Sequence, residues 1–109
     1  MDEKRFEISV LLDIYAPLLS DRHKELLDLY YNEDLSLSEI AESAGITRQG
    51  VRDAIKHGES DLYFFEKGLR FAEKSERLKA LSTEISAKAS EGDLEAVKEL
   101  AERLSAEVQ

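Results

Sequence analysis

An all-α fold, a bundle of short helices followed by longer C-terminal ones, is what this chain of 109 residues predicts, on three observations. One proline and five glycines leave little material for the turns of a sandwich or barrel. The strong helix formers Ala, Leu, Glu and Lys dominate, with Ser recurring where caps are needed. Apolar residues return every three or four positions rather than alternating.

The elements follow in order. Phe6, Ile8, Val10, Leu11, Leu12, Ile14 and Tyr15 crowd one broad face from Glu3 to Ala16, and Pro17 ends that helix by biasing Ala16 away from the α region. Ser20 is placed to cap a second helix that carries Leu26, Leu27, Leu29, Tyr30 and Tyr31 and runs to about Asn32. Ser36 and Glu39 make a capping box, with Leu35 and Ile40 as its staple pair, so a short third helix begins there and stops by Gly45. Thr47 caps a fourth helix with Ile46 and Val51 as staple. It reaches Lys56 or His57, where Gly58 permits a break or bend. From about Ser60 the apolar positions Leu62, Phe65, Leu69, Ala72, Leu78, Leu81 and Ile85 mark one long helix or two joined ones. Ser90-Glu91-Gly92-Asp93 interrupts, and Asp93 caps a last helix whose stripe Leu94, Val97, Ala101, Leu104 and Val108 needs a partner. Either a hairpin onto Leu78, Leu81 and Ile85 or a second chain would supply one. This divides the chain into residues 1–75 and a C-terminal helical extension, 76–109.

Composition then bounds function. Fifteen Lys and Arg stand against 24 Asp and Glu, a net charge of −9, which disfavours nonspecific polyanion binding. Without cysteine there is no disulfide, thiolate nucleophile or cysteine-ligated metal. The start, Met1 to Arg5, has no apolar secretory segment, and no apolar run approaches the roughly 20 residues of a membrane helix. The expectation is a soluble cytoplasmic protein that does not insert into membranes. His23 and His57 fit no metal-binding spacing and read as surface or helix-end residues, so neither metal nor cofactor is expected. Glu95, Glu99 and Glu102, beside Lys98 and Arg103, read as a solvated helix face, and no nucleophile, base and orienter can be assembled. An enzyme is not expected.

Leu37 to Lys56, LSEIAESAGITRQGVRDAIK, satisfies the constraints of a helix-turn-helix. Ala41 is small where the helices cross, Gly45 takes the turn, and Ile40, Ala44, Ile46, Val51 and Ala54 face inward. Gly50 is explained by close helix packing. Thr47, Arg48, Gln49, Arg52, Asp53 and Lys56 then face outward on the fourth helix, where Arg48 and Arg52 suit guanine or phosphate, Gln49 suits adenine, and Thr47 suits phosphate. Against this, three basic and three acidic residues give the motif zero net charge, and residues 1–35 carry four basic and nine acidic groups that would repel a duplex laid along them. Lys67, Arg70 and Lys74 either extend a positive stripe or belong to a solvated face with Glu66 and Glu73. In each of the pairs Tyr30-Tyr31 and Phe64-Phe65 one ring suits the core, leaving the other for a dimer contact.

The segments Leu-Leu-Asp-Ile-Tyr at residues 11–15, Leu27 to Glu42 with its Tyr-Tyr and Asp-Leu-Ser, and Arg-Gln-Gly-Val-Arg-Asp at 48–53 together resemble the YlxM family of small bacterial proteins. These carry a helix-turn-helix like region four of sigma factors. The likeness spans about residues 6–75 and is most distinctive over Leu29 to Asp53; the tail after about Ser75 cannot be matched position by position. The resemblance implies an all-helical homodimer that serves as a regulatory component of the signal recognition particle pathway, contacting the particle's GTPase, its RNA, or both. Arg48, Gln49, Arg52 and Asp53 match the start of the family's second motif helix. Two other readings stand beside it: a transcriptional regulator that binds DNA at half-sites about 34 Å apart, and a protein-interaction module whose acidic surface meets a basic partner.

Overall fold

Five of the six α-helices among the described residues begin where a side-chain oxygen accepts from an otherwise unsatisfied amide. The computed structural model describes residues 2–108. Asp2 caps α1 (Glu3–Tyr15) by accepting from Arg5 N–H, and Pro17 lies in the single 3-10 turn that follows. Ser20 caps α2 (Asp21–Tyr31) through His23 N–H, and Ser36 caps α3 (Leu37–Ala44). Thr47 caps α4 (Arg48–Leu69), and Asp93 caps α6 (Leu94–Glu107), which follows α5 (Phe71–Ser90). No strand occurs among the described residues.

The chain forms two compact units that part after Arg70. In the first, α4 packs on α1, α2 and α3. Its core is Ile8, Leu11, Leu12 and Tyr15 of α1, Leu26 and Leu27 of α2, Ile40 of α3, and Val51, Ile55 and Leu62 of α4, with Leu19 beneath the 3-10 turn. The α1 stripe is thus narrower than the run of apolar residues suggests. Phe6 is 60% exposed, because only positions 8, 11, 12 and 15 fall on the inward face. Of the Phe pair, Phe65 is half-buried with its ring centroid 6.0 Å from that of Tyr15, while Phe64 is exposed.

Gly58 corrects the sequence reading. Instead of ending or bending the fourth helix, it lies buried within an unbroken α4. A Cβ there would stand 2.7 Å from Leu27 Cδ1 and 3.2 Å from its Cγ, so residue 58 is where α2 and α4 approach too closely for any side chain. Glycine costs a helix interior only about 1 kcal/mol, less than the burial of Leu62 beyond it returns. The helix ends at Arg70, which takes a left-handed conformation at φ 52.

In the second unit α5 and α6 form an antiparallel helical hairpin. Gly92, at φ 76, makes the turn; its N–H donates to Ala89 O while Asp93 N–H donates to Lys88 O, the paired bonds of a Schellman cap. Leu81 and Leu100 are buried, flanked by half-buried Leu78, Ile85, Val97 and Leu104. The α6 seam is therefore 97, 100 and 104, not the stripe read through 94, 101 and 108. Leu94 and Val108 are 78% and 63% exposed, because the covered face is centred on Leu100: at 3.6 residues per turn Val97 and Leu104 lie within about 60° of it, whereas 94, 101 and 108 lie roughly 80–120° round the helix. Arg77 lashes the hairpin's open end by donating from Nε to both Glu107 carboxylate oxygens at 3.1 and 3.0 Å.

Replacing Gly58 by Ala forces the fully buried Leu27 to shift, and should destabilise the protein by roughly 1–2 kcal/mol even after the gain in helix propensity. Gly68→Ala, with nothing within 4 Å of the new methyl group, should stabilise by up to about 1 kcal/mol. Denaturant midpoints of the two variants read both signs.

Candidate nucleic-acid interface

The site is built by two caps and one turn. Ser36 Oγ accepts from Glu39 N–H at 3.1 Å and Glu39 Oε1 accepts from Ser36 N–H at 2.9 Å, which satisfies amides at the start of α3 and leaves Ile40 fully buried. These bonds from Ser36, backbone first and hydroxyl second, hold the Glu39 carboxyl below its ordinary value. At the other end Gly45, at φ 70, donates its N–H to Ala41 O, as does Ile46. Two residues later Thr47 Oγ1 accepts from Gly50 N–H at 2.9 Å and α4 begins. A Cβ at position 50 would stand 3.1 Å from that oxygen and 3.8 Å, an ordinary contact, from Ile46 Cδ1, so Gly50 makes room for the cap and not for the close helix packing that the sequence suggests.

This geometry sets Val51 and Ile55 inward and leaves Thr47, Arg48, Gln49, Arg52, Asp53 and Lys56 exposed on the first turns of α4. Arg48, Gln49 and Arg52 line one shallow cleft beside Leu37. Gln49 Nε2 donates to Asp53 Oδ1 at 2.8 Å, which fixes the amide along the helix face and engages the one acid among these six residues. Thr47 spends an oxygen lone pair on the cap and keeps its hydroxyl proton for a further partner. Lys67 and Arg70 lie at the far end of α4, about 22 and 27 Å beyond Arg52 at 1.5 Å per residue, and do not join this face; Lys74 belongs to the other unit.

Two further residues do. Lys4 and Arg5, from the start of α1, line a second cleft together with Arg52 and Lys56. Nothing in the linear sequence signals this, because both sit in a strongly acidic segment. Four of the nine acids of that segment gather elsewhere: Asp13, Asp21, Glu25 and Asp28 line a separate groove between α1 and α2, while Asp2 lines the cleft itself. Part of the repulsion expected from residues 1–35 is therefore drawn away from the α4 face.

The histidines meet without forming a ligand set. His23 Nδ1 and His57 Nε2 lie 3.5 and 3.9 Å from the two oxygens of Asp61, with ring centroids 4.7 Å apart. Among the described residues no group of three or more His, Cys, Asp and Glu could hold a metal ion. No helix there is long and apolar enough to cross a membrane.

A capped short helix, a left-handed turn and a second helix presenting an exposed polar start define a helix-turn-helix protein of the all-helical class. Comparison with known proteins names the family. The model of UPF0122, described as "Putative helix-turn-helix protein, YlxM / p13 like", matches residues 2–103. A UPF0122 protein of Clostridium kluyveri is 45% identical over 76 residues, covering 70% of this chain and 68% of its own. One from Clostridium perfringens is 40% identical over 85 residues, covering 78% and 76%, and one from Symbiobacterium thermophilum is 38% identical over 100 residues, covering 92% and 94%. The chain belongs to the UPF0122 family.

Thr47→Ala should cost about 1 kcal/mol of stability and speed amide exchange at Gly50, loosening the turn that carries Arg48 and Gln49. Acid should loosen α3 at its other end. Because the Glu39 value is lowered in the folded state, its contribution is complete above the ordinary glutamate range, near pH 4.3, and is lost as pH falls through the folded value. Acid titrations followed by circular dichroism should show that component vanish in Glu39→Gln.

Proposed function

We propose that this protein is a nonenzymatic helix-turn-helix adaptor that binds nucleic acid through the start of α4 and acts as a cytoplasmic regulatory component of the signal recognition particle pathway. The observation that carries the binding reading is the joint exposure of Thr47, Arg48, Gln49, Arg52 and Lys56 on one helix whose inward face is fully committed to the core. Arg48 and Gln49, nearest the helix start, have the donors that read base edges; Arg52 and Lys56, further back, suit phosphates. The pathway is proposed from the resemblance to the YlxM family, with the particle's GTPase and RNA as partners. A homodimer, proposed from the same resemblance, would present two such helices.

The test is fluorescence anisotropy of labelled duplex DNA and of signal recognition particle RNA across a salt series, with Arg48→Ala/Arg52→Ala as control. Three phosphate contacts per protomer, six per dimer, give a log–log slope of about −5 on duplex DNA. Saturable binding that the double substitution weakens supports the reading, and preference for the RNA supports the particle. Preference for particular duplex sequences would instead favour a transcriptional regulator. Binding unchanged by the substitutions, or absent at low salt, overturns the α4 assignment, and in the latter case turns attention to basic protein partners for the acidic groove.

A further inference from the structure

The cleft between the start of α1 and the second and third turns of α4 has a net positive lining. It encloses about 330 Å³ and is lined by four cationic side chains, Lys4, Arg5, Arg52 and Lys56, and two carboxylates, Asp2 and Glu59. In a chain of net charge −9 this is a concave surface where cations outnumber acids two to one. The groove between α1 and α2 has the opposite balance, with four carboxylates to Lys24.

Its acids are already engaged. Asp2 Oδ1 accepts from Arg5 N–H at 2.8 Å, and Glu59 Oε2 accepts from the Tyr31 hydroxyl at 2.9 Å. Burial and this bond to Glu59 push the Tyr31 phenol well above its ordinary value, so it remains a neutral donor. Arg5 is spent on the wall: its guanidinium donates to the Tyr30 carbonyl and to Asp34 and stacks on the Tyr30 and Tyr31 rings at 5.0 and 4.9 Å from their centroids. Among the described residues no hydrogen bond or ion pair holds the side chains of Lys4, Arg52 or Lys56. Three uncommitted cations thus border a cleft whose rear is two tyrosine rings.

We infer that this cleft takes a phosphate group of a nucleic-acid strand, held by Lys4 across the gap from Arg52 and Lys56. The inference rests on the proposed nucleic-acid reading and adds to it a residue of α1 and a register. Arg48 and Lys56 are eight residues apart, about 12 Å along the helix axis, which is about the width of the major groove. With Arg48 at the base edges, Lys56 and Lys4 therefore lie at the flanking strand, where a phosphate belongs. Lys4 carries no sequence information there; it sets position and affinity.

The experiment compares wild type, Lys4→Ala and Lys24→Ala, which makes the same charge change in the acidic groove, for duplex DNA and particle RNA between 50 and 200 mM salt. Loss of one phosphate contact per protomer, two per dimer, lowers the duplex slope by about 1.8, so the advantage of wild type over Lys4→Ala should shrink about 12-fold across that range, similarly for every sequence tested. Lys24→Ala should leave the slope unchanged. If wild type binds and Lys4→Ala matches it in affinity and slope, or Lys24→Ala loses as much as Lys4→Ala, the cleft inference is overturned and the α4 reading stands. If wild type binds neither ligand, the α4 reading fails. The cleft is then judged by amide chemical shifts on titration with inorganic pyrophosphate: saturable shifts confined to Lys4, Arg52, Lys56 and their neighbours support an anion cleft, and their absence overturns it.

Discussion

At Gly58 the backbone of α4 lies so close to Leu27 that a methyl group would stand 2.7 Å from its Cδ1, and the arrangement of the N-terminal unit depends on that approach. It brings α2 flat against the middle of α4. The ends of α4 stay available to α1 and α3, and Ile8, Leu26, Leu27, Ile40, Val51 and Leu62 close into one core with no exposure. Interiors are packed to crystal-like density, so a side chain at this crossing would have to be accommodated by shifting the buried Leu27. Because α4 also carries Arg48, Gln49 and Arg52 on its first turns, the same contact fixes where the exposed cations stand relative to the start of α1. The cleft that brings Lys4 opposite Lys56 is a consequence of a packing constraint at residue 58.

Charge is organised on the same frame. A net charge of −9 argues against nucleic acid only if the charge is spread evenly. Along α1 the cation Lys4 and the acid Asp13 are nine residues apart, about 13 Å on the helix axis, more than the roughly 8 Å over which exposed charges are screened at physiological ionic strength. Asp13 therefore adds little to the field at Lys4, where Asp2, Glu3 and Glu7 are the near acids of the same segment. Near Arg52 and Lys56 the acids within reach are each held by a donor of the protein itself, Asp2 by a backbone amide and Glu59 by Tyr31. The remote acids still slow the approach of a polyanion, and this favours a ligand that makes close contacts over one attracted at long range.

Local signals were legible in the sequence wherever the physics is local. A cap needs one oxygen and an amide three residues on, so Ser20, Ser36, Thr47 and Asp93 announce their helices, and a left-handed turn favours glycine, so Gly45 announces the helix-turn-helix. The exposed residues of α4 follow from those two facts and helical geometry. What the sequence hid depends on a second element. Gly58 reads as a breaker until Leu27 is placed against it. Leu100 falls outside the stripe that the sequence suggests for the last helix, because only α5 selects which side of α6 is covered. Lys4 and Arg5 read as part of an acidic segment, since summing charge over 35 consecutive residues averages over both ends of α1. Periodicity finds a stripe, whereas its exact register is decided by the partner.

The division of α4 between two faces determines what variation the site can tolerate. Val51, Ile55, Gly58 and Leu62 recur at intervals of four, three and four and hold the core, while Arg48, Gln49, Arg52 and Lys56 occupy the turns between them on the other side. Exposed side chains without packing partners contribute little to stability, so the outward set can change its chemistry with small effect on folding. Thr47 and Gly50 are different, because the hydroxyl that caps the helix and the glycine that leaves room for it also set the course of the first turn, which carries Arg48 and Gln49. Arg5 is different too: it faces the cleft, yet its guanidinium ties α1 to the end of α2 through Tyr30 and Asp34. The binding proposed above is therefore tested by changes at Arg48, Gln49, Arg52, Lys56 and Lys4, which leave folding intact, and not by changes at Thr47, Gly50 and Arg5, which alter folding as well.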